Sequence, residues 1–259
     1  MNALSHTLER NVVINAPRDT VFRFFTDDAR WASWWGAGST IEPRVGGRVY
    51  IRHPGNVEVT GEVLELSAPD AIVLTYGYAS GKPFGPGESV VTIRLVSHGA
   101  GTKLTLSHAL PSASSRDEHV QGWRYQLALF GNVVANELHA GAADTVDAWF
   151  AAWAEPNERV RTDTLTRIAS ADVRFRDRNS LLDGIDDVLP HIAAAQRFMS
   201  GIRLERRGPV RHCQGTVLAD WAAVNAEGTT LMHGVNVFVL GADGKIESAT
   251  GLTSPPPTS

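Results

Sequence analysis

The sequence predicts an α+β protein of two domains, residues 1–142 and residues 143–259. Two observations lead to this prediction. The first half reads as a strand, a helix, several strands and one long helix, whereas the second half begins with helices and ends in strands. A chain of 259 residues also has the length of two ordinary domains.

The first half opens with the β-rich run "ERNVVINAP", and its last residue, Pro17, suits the first position of a helix. An antiparallel meander follows, because short apolar and β-branched runs alternate with Gly, Pro, Ser and Asp turns. The five runs span 44–53, 56–66, 70–78, 88–97 and 101–110. The long helix is predicted over 114–140, with a capping box formed by Ser115 and Glu118.

The pattern restarts in the second half with a helix capped by Asp144. A second helix follows "EPN", then a short strand, "DVRFRD", and a helix opened by Asp183. Three strand-like runs come next, at 203–215, 216–225 and 229–241. The tail "SPPPTS" is predicted to be disordered.

Composition excludes several classes of partner. The net charge is −4 and no basic block stands out, so nucleic acid is not expected. The longest stretch without a charged residue, 228–242, is too short and too polar to span a bilayer, and the N-terminus has no signal-peptide pattern. The single cysteine, Cys213, excludes an internal disulfide. We therefore expect a cytoplasmic protein.

Three tryptophans crowd into "RWASWWGAG", at Trp31, Trp34 and Trp35. One interpretation is that they close one end of the core. The other is that one or two of them line a cavity between the sheet and the long helix. We expect Trp35 to pack near Trp123, and at least one ring to touch a cavity.

Two polar residues lie at the ends of apolar strand faces. By two-residue alternation His108 shares a face with Leu104 and Leu106, and Tyr76 shares one with Leu74. Each side chain is either a polar group of a pocket or a core residue with a backbone partner. The histidines of this half have no metal-ligand spacing, so no metal is expected. The residues favour binding over chemistry.

The first half resembles the START-like (SRPBCC) superfamily, in the branch of activator-of-heat-shock-ATPase homologues. The resemblance covers about residues 9–138 and is carried by "WWG", "RVGGRV", "GEVLELSAPDAIVLTY", "GTKLTLSH" and "GW". It implies a helix-grip fold, in which an antiparallel sheet wraps a long C-terminal helix around a cavity for apolar or amphipathic small molecules. The candidate ligand-binding residues are Trp34, Trp35, Tyr76, His108 and Trp123.

The second half, about residues 143–252, resembles the SnoaL-like or nuclear-transport-factor-2-like fold. "FRDRNSLLDG", "ADWAAVNAEG" and "GVNVFVLGADGKI" carry the resemblance. It implies a cone whose curved sheet and helices enclose a pocket. Members include ketosteroid isomerases, polyketide cyclases, epoxide hydrolases and proteins without chemistry.

The resemblance to ketosteroid isomerases implies roles for single residues. Asp177 takes the place of the proton-moving carboxylate, Asn236 that of the oxyanion-stabilising acid, and Trp149 that of the tyrosine donor. Asp177 is otherwise a turn or ion-pair residue, and Trp149 a packing residue. Trp221 and Phe238 are further candidate ligand-binding residues. Asp220 and Trp221 alternate, so only one of them faces the cone.

These inferences lead to two hypotheses. In the first, the protein binds a hydrophobic or polycyclic small molecule and converts it without a cofactor, by isomerisation, cyclisation or hydrolysis, with Asp177 as base and Asn236 stabilising an oxyanion. In the second, it is a non-enzymatic protein that binds a ligand or a chaperone ATPase, and the second domain dimerises. A homodimer through residues 203–250 is expected, because His233, Val235, Val237 and Val239 form a largely apolar sheet face.

Overall fold

The computed structural model describes residues 4–254, and the predicted disordered tail from residue 255 onward lies outside them. The chain forms two compact units, Met1–Ala135 and Asn136–Ser259. The division falls in the last turn of the long helix, whereas the sequence analysis placed it near residue 142. None of the helices in the described part of the chain has the length and apolarity that a membrane span requires.

The first unit is a seven-stranded antiparallel sheet with three helices. The strands follow the order β1-β7-β6-β5-β4-β3-β2. Their bounds are β1 (His6–Ile14), β2 (Thr40–Ile41), β3 (Arg48–His53), β4 (Val57–Ser67), β5 (Ala71–Tyr78), β6 (Ser89–His98) and β7 (Gly101–Leu110). The helices are α1 (Arg18–Phe22), α2 (Asp28–Trp35) and α3 (Ala113–Leu138). The predicted meander and long helix are confirmed.

The capping box predicted for the long helix is wrong. The α3 helix begins at Ala113, and Ser112 caps it, since the Ser112 Oγ accepts a hydrogen bond from the backbone N–H of Ser115 (3.1 Å). Ser115 therefore lies inside the first turn. The pattern that begins at Ser115 starts three residues too late, because Ser112 offers the same capping chemistry earlier in the chain.

The tryptophans of α2 belong to the core of the first unit. Trp31, Trp34 and Trp35 are 0%, 1% and 5% exposed. Gly36 ends the helix with φ +131°, and a Cβ there would overlap the carbonyl oxygen of Arg52 on β3. Only glycine allows the chain to turn this closely against the sheet after such bulky side chains.

The second unit combines three helices with a six-stranded sheet in the order β10-β11-β12-β13-β8-β9. The helices are α4 (Ala142–Ala154), α5 (Glu158–Ile168) and α6 (Ile185–Phe198). The strands are β8 (Ala169–Arg176), β9 (Leu181–Asp183), β10 (Arg203–Cys213), β11 (Thr216–Val224), β12 (Thr230–Leu240) and β13 (Ile246–Thr253). The β13–β8 pair is parallel and the other pairs are antiparallel. The predicted α+β class is confirmed.

Two strands of this sheet were not predicted, β9 and β13. The sequence of β13, "IESATGLT", is poor in residues that favour strands. It is a strand because its backbone hydrogen-bonds to β12 on one side and β8 on the other. Tertiary pairing outweighs local propensity here.

Strand alternation decides which of Asp220 and Trp221 faces the interior of the second unit. Trp221 is 8% exposed and belongs to the core, as do Ala219 on β11 and Phe238 on β12. Asp220 faces the other way and pairs with Arg211 at 2.9 Å.

Candidate functional site

The first unit contains a cavity of about 930 Å³. Its lining comes from α2, the ends of β3 and β5, the start of β4 and one face of α3. Six Trp and Tyr side chains line it, together with polar and charged side chains that include Glu58, Lys82 and Glu118. Aromatic surface combined with polar groups is typical of sites for small molecules that carry both apolar and polar parts.

Four of the five residues predicted to bind a ligand in this unit line the cavity. They are Trp34, Trp35, Tyr76 and Trp123. Trp35 meets Trp123 edge to face, with ring centroids 5.6 Å apart, so the predicted packing of these two rings is confirmed. The side-chain amide of Gln126, also in the lining, donates to the carbonyl oxygen of Trp34 and ties α3 to α2.

The fifth residue, His108, lies behind this wall. It is fully buried, its Nε2 is 2.8 Å from the Ser89 Oγ, and its Nδ1 accepts from the Trp123 indole N–H (3.0 Å). The Ser89 hydroxyl donates onward to the carbonyl oxygen of Tyr76 (2.6 Å). Burial, reinforced by His119, lowers the pKa of His108 to about 3. His108 is therefore a neutral core residue that holds Trp123 in place.

Two histidines that the sequence analysis did not select face the cavity, His53 and His119. His53 Nε2 lies 3.3 Å from the Tyr76 hydroxyl, and His119 Nε2 lies 3.0 Å from the Tyr78 hydroxyl. The spacing of residues along the strand and along the helix could have identified both histidines as cavity residues. His53 alternates with the buried Ile51 on β3, and His119 precedes Trp123 by four residues on α3.

In the second unit the predicted residue Asn236 lies on the inward face of β12. It is 5% exposed, and its side chain makes no hydrogen bond within residues 4–254. Its cross-strand neighbours are small, Ala219 on β11 and Gly251 on β13. A buried amide flanked by small residues leaves room for an outside partner, and such a group costs free energy while unpaired.

Three indoles of the second unit are also unpaired. The Nε1 atoms of Trp149, Trp153 and Trp221 are buried without a hydrogen-bond partner in the described part of the chain. Trp149 packs against Phe238 and Phe175, with ring centroids 6.0 and 5.9 Å apart. The interior of this unit thus presents hydrogen-bond donors that meet no protein acceptor.

Asp177 does not have the semi-buried setting that a proton-abstracting base requires. Its side chain is exposed, and Oδ1 accepts from the backbone N–H of Asn179 (2.8 Å), as in a turn. A Cβ added to Gly251 would lie 3.5 Å from the Asp177 Cβ and 3.3 Å from the Asn236 Oδ1, so the backbone of Asp177 is near Asn236. The structure brings the two residues to either side of Gly251 and leaves the carboxylate in solvent.

A further polar pair near this end of β8 was missed. His191 of α6 places its Nε2 3.2 Å from the Ser180 Oγ. The imidazole packs against Trp153 and Phe175, with ring centroids 5.9 and 6.4 Å apart. The sequence offered no signal for this pair, because Ser180 precedes β9 and His191 lies on α6, and periodicity relates only residues of the same element.

Comparison with known proteins gives one family match. Residues 15–135 match the family described as Activator of Hsp90 ATPase homolog 1-like protein. No curated protein matches the chain.

Solved structures with similarity to the chain come from several bacteria. A putative isomerase of the SnoaL-like family from Agrobacterium tumefaciens is 21% identical, over 46% of this chain and 99% of that chain, with a TM-score of 0.42. CalU16 from Micromonospora echinospora is 30% identical over 48% and 71%, with a TM-score of 0.41. The Aha1 dimer from Colwellia psychrerythraea is 15% identical over 48% and 92%, with a TM-score of 0.40.

The family match spans the described first unit from the end of β1 to most of α3, and it includes the helix and strands that form the cavity wall. It agrees with the resemblance read from "WWG" and the motifs after it. Residues 15–135 are a domain of the Activator of Hsp90 ATPase homolog 1-like family.

Proposed function

We propose that the first unit binds a hydrophobic, ring-containing small molecule in its cavity. The observation that carries the proposal is the cavity itself, about 930 Å³ with Trp34, Trp35, Tyr76 and Trp123 in its wall. This volume lies within the range typical of ligand pockets, and aromatic rings bind flat apolar molecules with large contact areas.

Gly122 on α3 offers a direct test. It lines the cavity, and a Cβ added there meets no atom within 4 Å, so a side chain can extend into the open space. Gly122→Phe should weaken binding of the fluorescent probe 1-aminoanthracene at least 10-fold, by occupying the site. Gly122→Ala is the matched control and should bind within about 2-fold of the unaltered protein, because a methyl group takes little of the space. Equal affinities for all three proteins would contradict binding in the cavity.

For the second unit we propose a ligand that carries hydrogen-bond acceptors, such as the carbonyl groups of a polycyclic ketone. The supporting observations are the buried, unpaired indole N–H groups of Trp149 and Trp221 and the neighbouring amide of Asn236, which is 5% exposed. A ligand oxygen that accepts from these groups removes the cost of leaving them unpaired. Phe238, beside Trp149, adds an apolar contact.

We also propose that this site converts its ligand by cofactor-free proton transfer, with Asn236 donating to a developing oxyanion and Asp177 taking the proton once a bound ligand covers its exposed carboxylate. Asn236→Leu should lower the rate of isomerisation of 5-androstene-3,17-dione, used as a probe substrate, by roughly 10²-fold. Asp177→Asn keeps the shape of the side chain and should abolish turnover while leaving probe binding unchanged. Undiminished turnover in Asp177→Asn would assign the base to another residue.

For assembly we propose a homodimer through the outer face of β10–β13. Val235 and Val237 on this face are half-buried, while Val239 and Leu252 are exposed. Light scattering at micromolar concentration should give the dimer mass for the intact protein and the monomer mass for Val237→Arg. A monomer mass for the intact protein would contradict the dimer.

We also propose that the protein is located in the cytoplasm, in keeping with the free and exposed thiol of Cys213.

A further inference from the structure

The wall of the first cavity carries more negative than positive charge. The carboxylates of Glu58 and Glu118 line it, and Lys82 is the one lysine or arginine among the described residues of the lining. The guanidinium of Arg52, on β3, donates to the Asn56 Oδ1 (3.0 Å) and does not belong to the lining. Two carboxylates beside one ammonium give this surface a negative charge at neutral pH.

The two carboxylates are held by neutral hydroxyl groups. Glu58 Oε1 accepts from the Tyr50 hydroxyl (2.7 Å). Glu118 Oε1 accepts from the Ser114 hydroxyl (3.1 Å). Within residues 4–254, neither carboxylate forms an ion pair, and the Lys82 ammonium forms none either. The charge of both carboxylates is therefore available to a ligand in the cavity.

The Tyr78 hydroxyl gives the cavity a third acceptor. His119 Nδ1 lies 2.7 Å from the carbonyl oxygen of Ser115, and a carbonyl oxygen only accepts, so Nδ1 carries the proton. In the neutral ring Nε2 is then an acceptor, and the Tyr78 hydroxyl, 3.0 Å away, donates to it. Because its proton is committed to His119, the Tyr78 oxygen can only accept from a ligand. Burial raises the pKa of Tyr78, and the negative charge of Glu118 raises it further, so the hydroxyl stays neutral.

Two other polar groups of the lining do not compete with these acceptors. Burial lowers the pKa of His53, and repulsion by His119 lowers it further, so the His53 imidazole carries no charge at pH 7. The indole N–H of Trp35 is buried, without a partner in the described part of the chain. Because it is buried, this donor does not reach the surface of the cavity.

The aromatic rings of the wall add a second attraction for positive charge. Trp34, Trp35, Tyr76 and Trp123 line the cavity, and the face of an aromatic ring attracts a cation. These rings are buried, whereas the side chains of Glu58, Lys82 and Glu118 are exposed. The charged groups therefore lie at the mouth of the cavity and the rings lie deeper.

We propose that the first cavity selects a ring-containing ligand that carries an amine protonated at neutral pH, such as an arylalkylamine. The inference rests on the proposed binding of a small molecule in this cavity and names the class of that molecule. The rings of the ligand contact the aromatic wall. Its ammonium lies at the mouth, where it donates to the Tyr78 oxygen and is attracted by Glu58 and Glu118. Lys82 repels the ammonium and limits the affinity.

The test compares three probes that share one ring system and differ in charge, namely 1-naphthylmethylamine, 1-naphthylmethanol and 1-naphthoate. Each probe displaces fluorescent 1-aminoanthracene, an arylamine that is neutral at the pH of the assay, 7.5. The intact protein should bind the amine about 10-fold more tightly than the alcohol, which is the combined contribution of a cation–π contact and a solvent-exposed ion pair. It should bind the naphthoate more weakly than the alcohol.

Variants that remove charge assign this preference to the wall. The double variant Glu58→Gln/Glu118→Gln keeps the size of both side chains and should weaken amine binding about 5-fold, with alcohol binding unchanged. Lys82→Gln removes the repulsion and should tighten amine binding about 2-fold. Glu62→Gln is the matched control, because Glu62 lies on β4 outside the lining. It should bind all three probes like the intact protein.

The outcomes separate this inference from the proposed function. Equal displacement of 1-aminoanthracene by the amine and the alcohol would overturn the amine class and leave the ligand cavity standing. Tighter binding of 1-naphthoate than of the amine would overturn it in favour of recognition by Lys82. An unchanged amine preference in Glu58→Gln/Glu118→Gln would overturn the role of the carboxylates. Absence of 1-aminoanthracene binding by the intact protein would overturn the proposed function, and this inference with it.

Discussion

The interiors of the two units differ in which of their buried polar groups have hydrogen-bond partners. In the first unit both ring nitrogens of His108 have partners, and the Thr102 hydroxyl donates to the carbonyl oxygen of Ala16 (2.8 Å). In the second unit three buried indole N–H groups and the amide of Asn236 have none among residues 4–254. In the first unit, the buried indole N–H of Trp35 also lacks a hydrogen-bond partner within the described part of the chain.

The difference shows two ways in which a core can hold polar groups for function. Partners on both ring nitrogens fix which nitrogen of a histidine carries its proton, and thereby decide what the neighbouring cavity can donate or accept. Unpaired donors instead cost about 1–3 kcal/mol each until an acceptor arrives, so they favour a ligand that supplies one.

Removal of a ring from the cavity wall should have the largest effect. Trp35→Ala should lower the free energy of unfolding by about 3–5 kcal/mol, because the side chain is 5% exposed and packs on Trp34 and Trp123. Urea denaturation followed by circular dichroism measures this. A loss below about 1 kcal/mol would show that the neighbouring rings close over the space and that the wall is not rigid.

Acid should destabilise the core of the first unit through His108. The pKa of His108 falls from 6.5 to about 3 on folding, so between these values the unfolded state binds a proton that the folded state does not. Stability is therefore full above pH 6.5 and decreases as the pH falls, by about 1.4 kcal/mol per unit.

His108→Gln isolates this contribution, because glutamine does not titrate. Between pH 7 and pH 4.5 the intact protein should lose about 2–3 kcal/mol more of its unfolding free energy than the variant. Urea denaturation at both pH values gives the two losses. Parallel losses in both proteins would mean that His108 is protonated in the folded state.

Matched Trp→Phe variants compare paired and unpaired indoles directly. Trp123→Phe leaves Nδ1 of the buried His108 without its donor, which should cost about 1–3 kcal/mol beyond the lost ring volume. Trp149→Phe removes a similar volume but no hydrogen bond, so its cost should be smaller by that amount. Equal destabilisation would indicate that Trp149 finds an acceptor in solution.

A gain in stability is expected at Gly131 in α3. The residue is buried, and a Cβ built there meets no atom within 4 Å. Gly131→Ala should raise the free energy of unfolding by about 1 kcal/mol, the difference in helix propensity between the two residues. A rise in thermal midpoint measures it. Destabilisation would reveal that the surrounding side chains close more tightly on the glycine than the structure indicates.

The sequence predicted the first unit well because its elements are periodic. Alternation along "GTKLTLSH" placed Leu104, Leu106 and His108 on one buried face, as observed. The two polar pairs in the cavity wall could not be predicted, since His53 meets Tyr76 across 23 positions and Tyr78 meets His119 across 41. Such pairs depend on sheet register and on the placement of α3, which no local pattern encodes.

In the second unit, too, some features could be predicted from the sequence and others could not. The inward face of β12 was predicted from alternation, and Asn236 and Phe238 lie on it. The exposure of Asp177 was not predicted. Asp177 lies beyond the end of β8, where the local turn sets its orientation, and its carboxylate accepts a hydrogen bond from the backbone N–H of Asn179. The strand that places Gly251 between the two site residues has too little β propensity to be recognised.

The position of β13 has a consequence for synthesis of the chain. Among the described residues, β8 and β9 join the rest of their sheet through β13, which follows both of them in the chain by about 60 residues or more. Until it arrives, the nascent chain carries an open β8 edge, with backbone groups ready to pair with any extended segment nearby. During synthesis this unit therefore passes through a stage with an unpaired strand edge, which β13 covers in the folded protein.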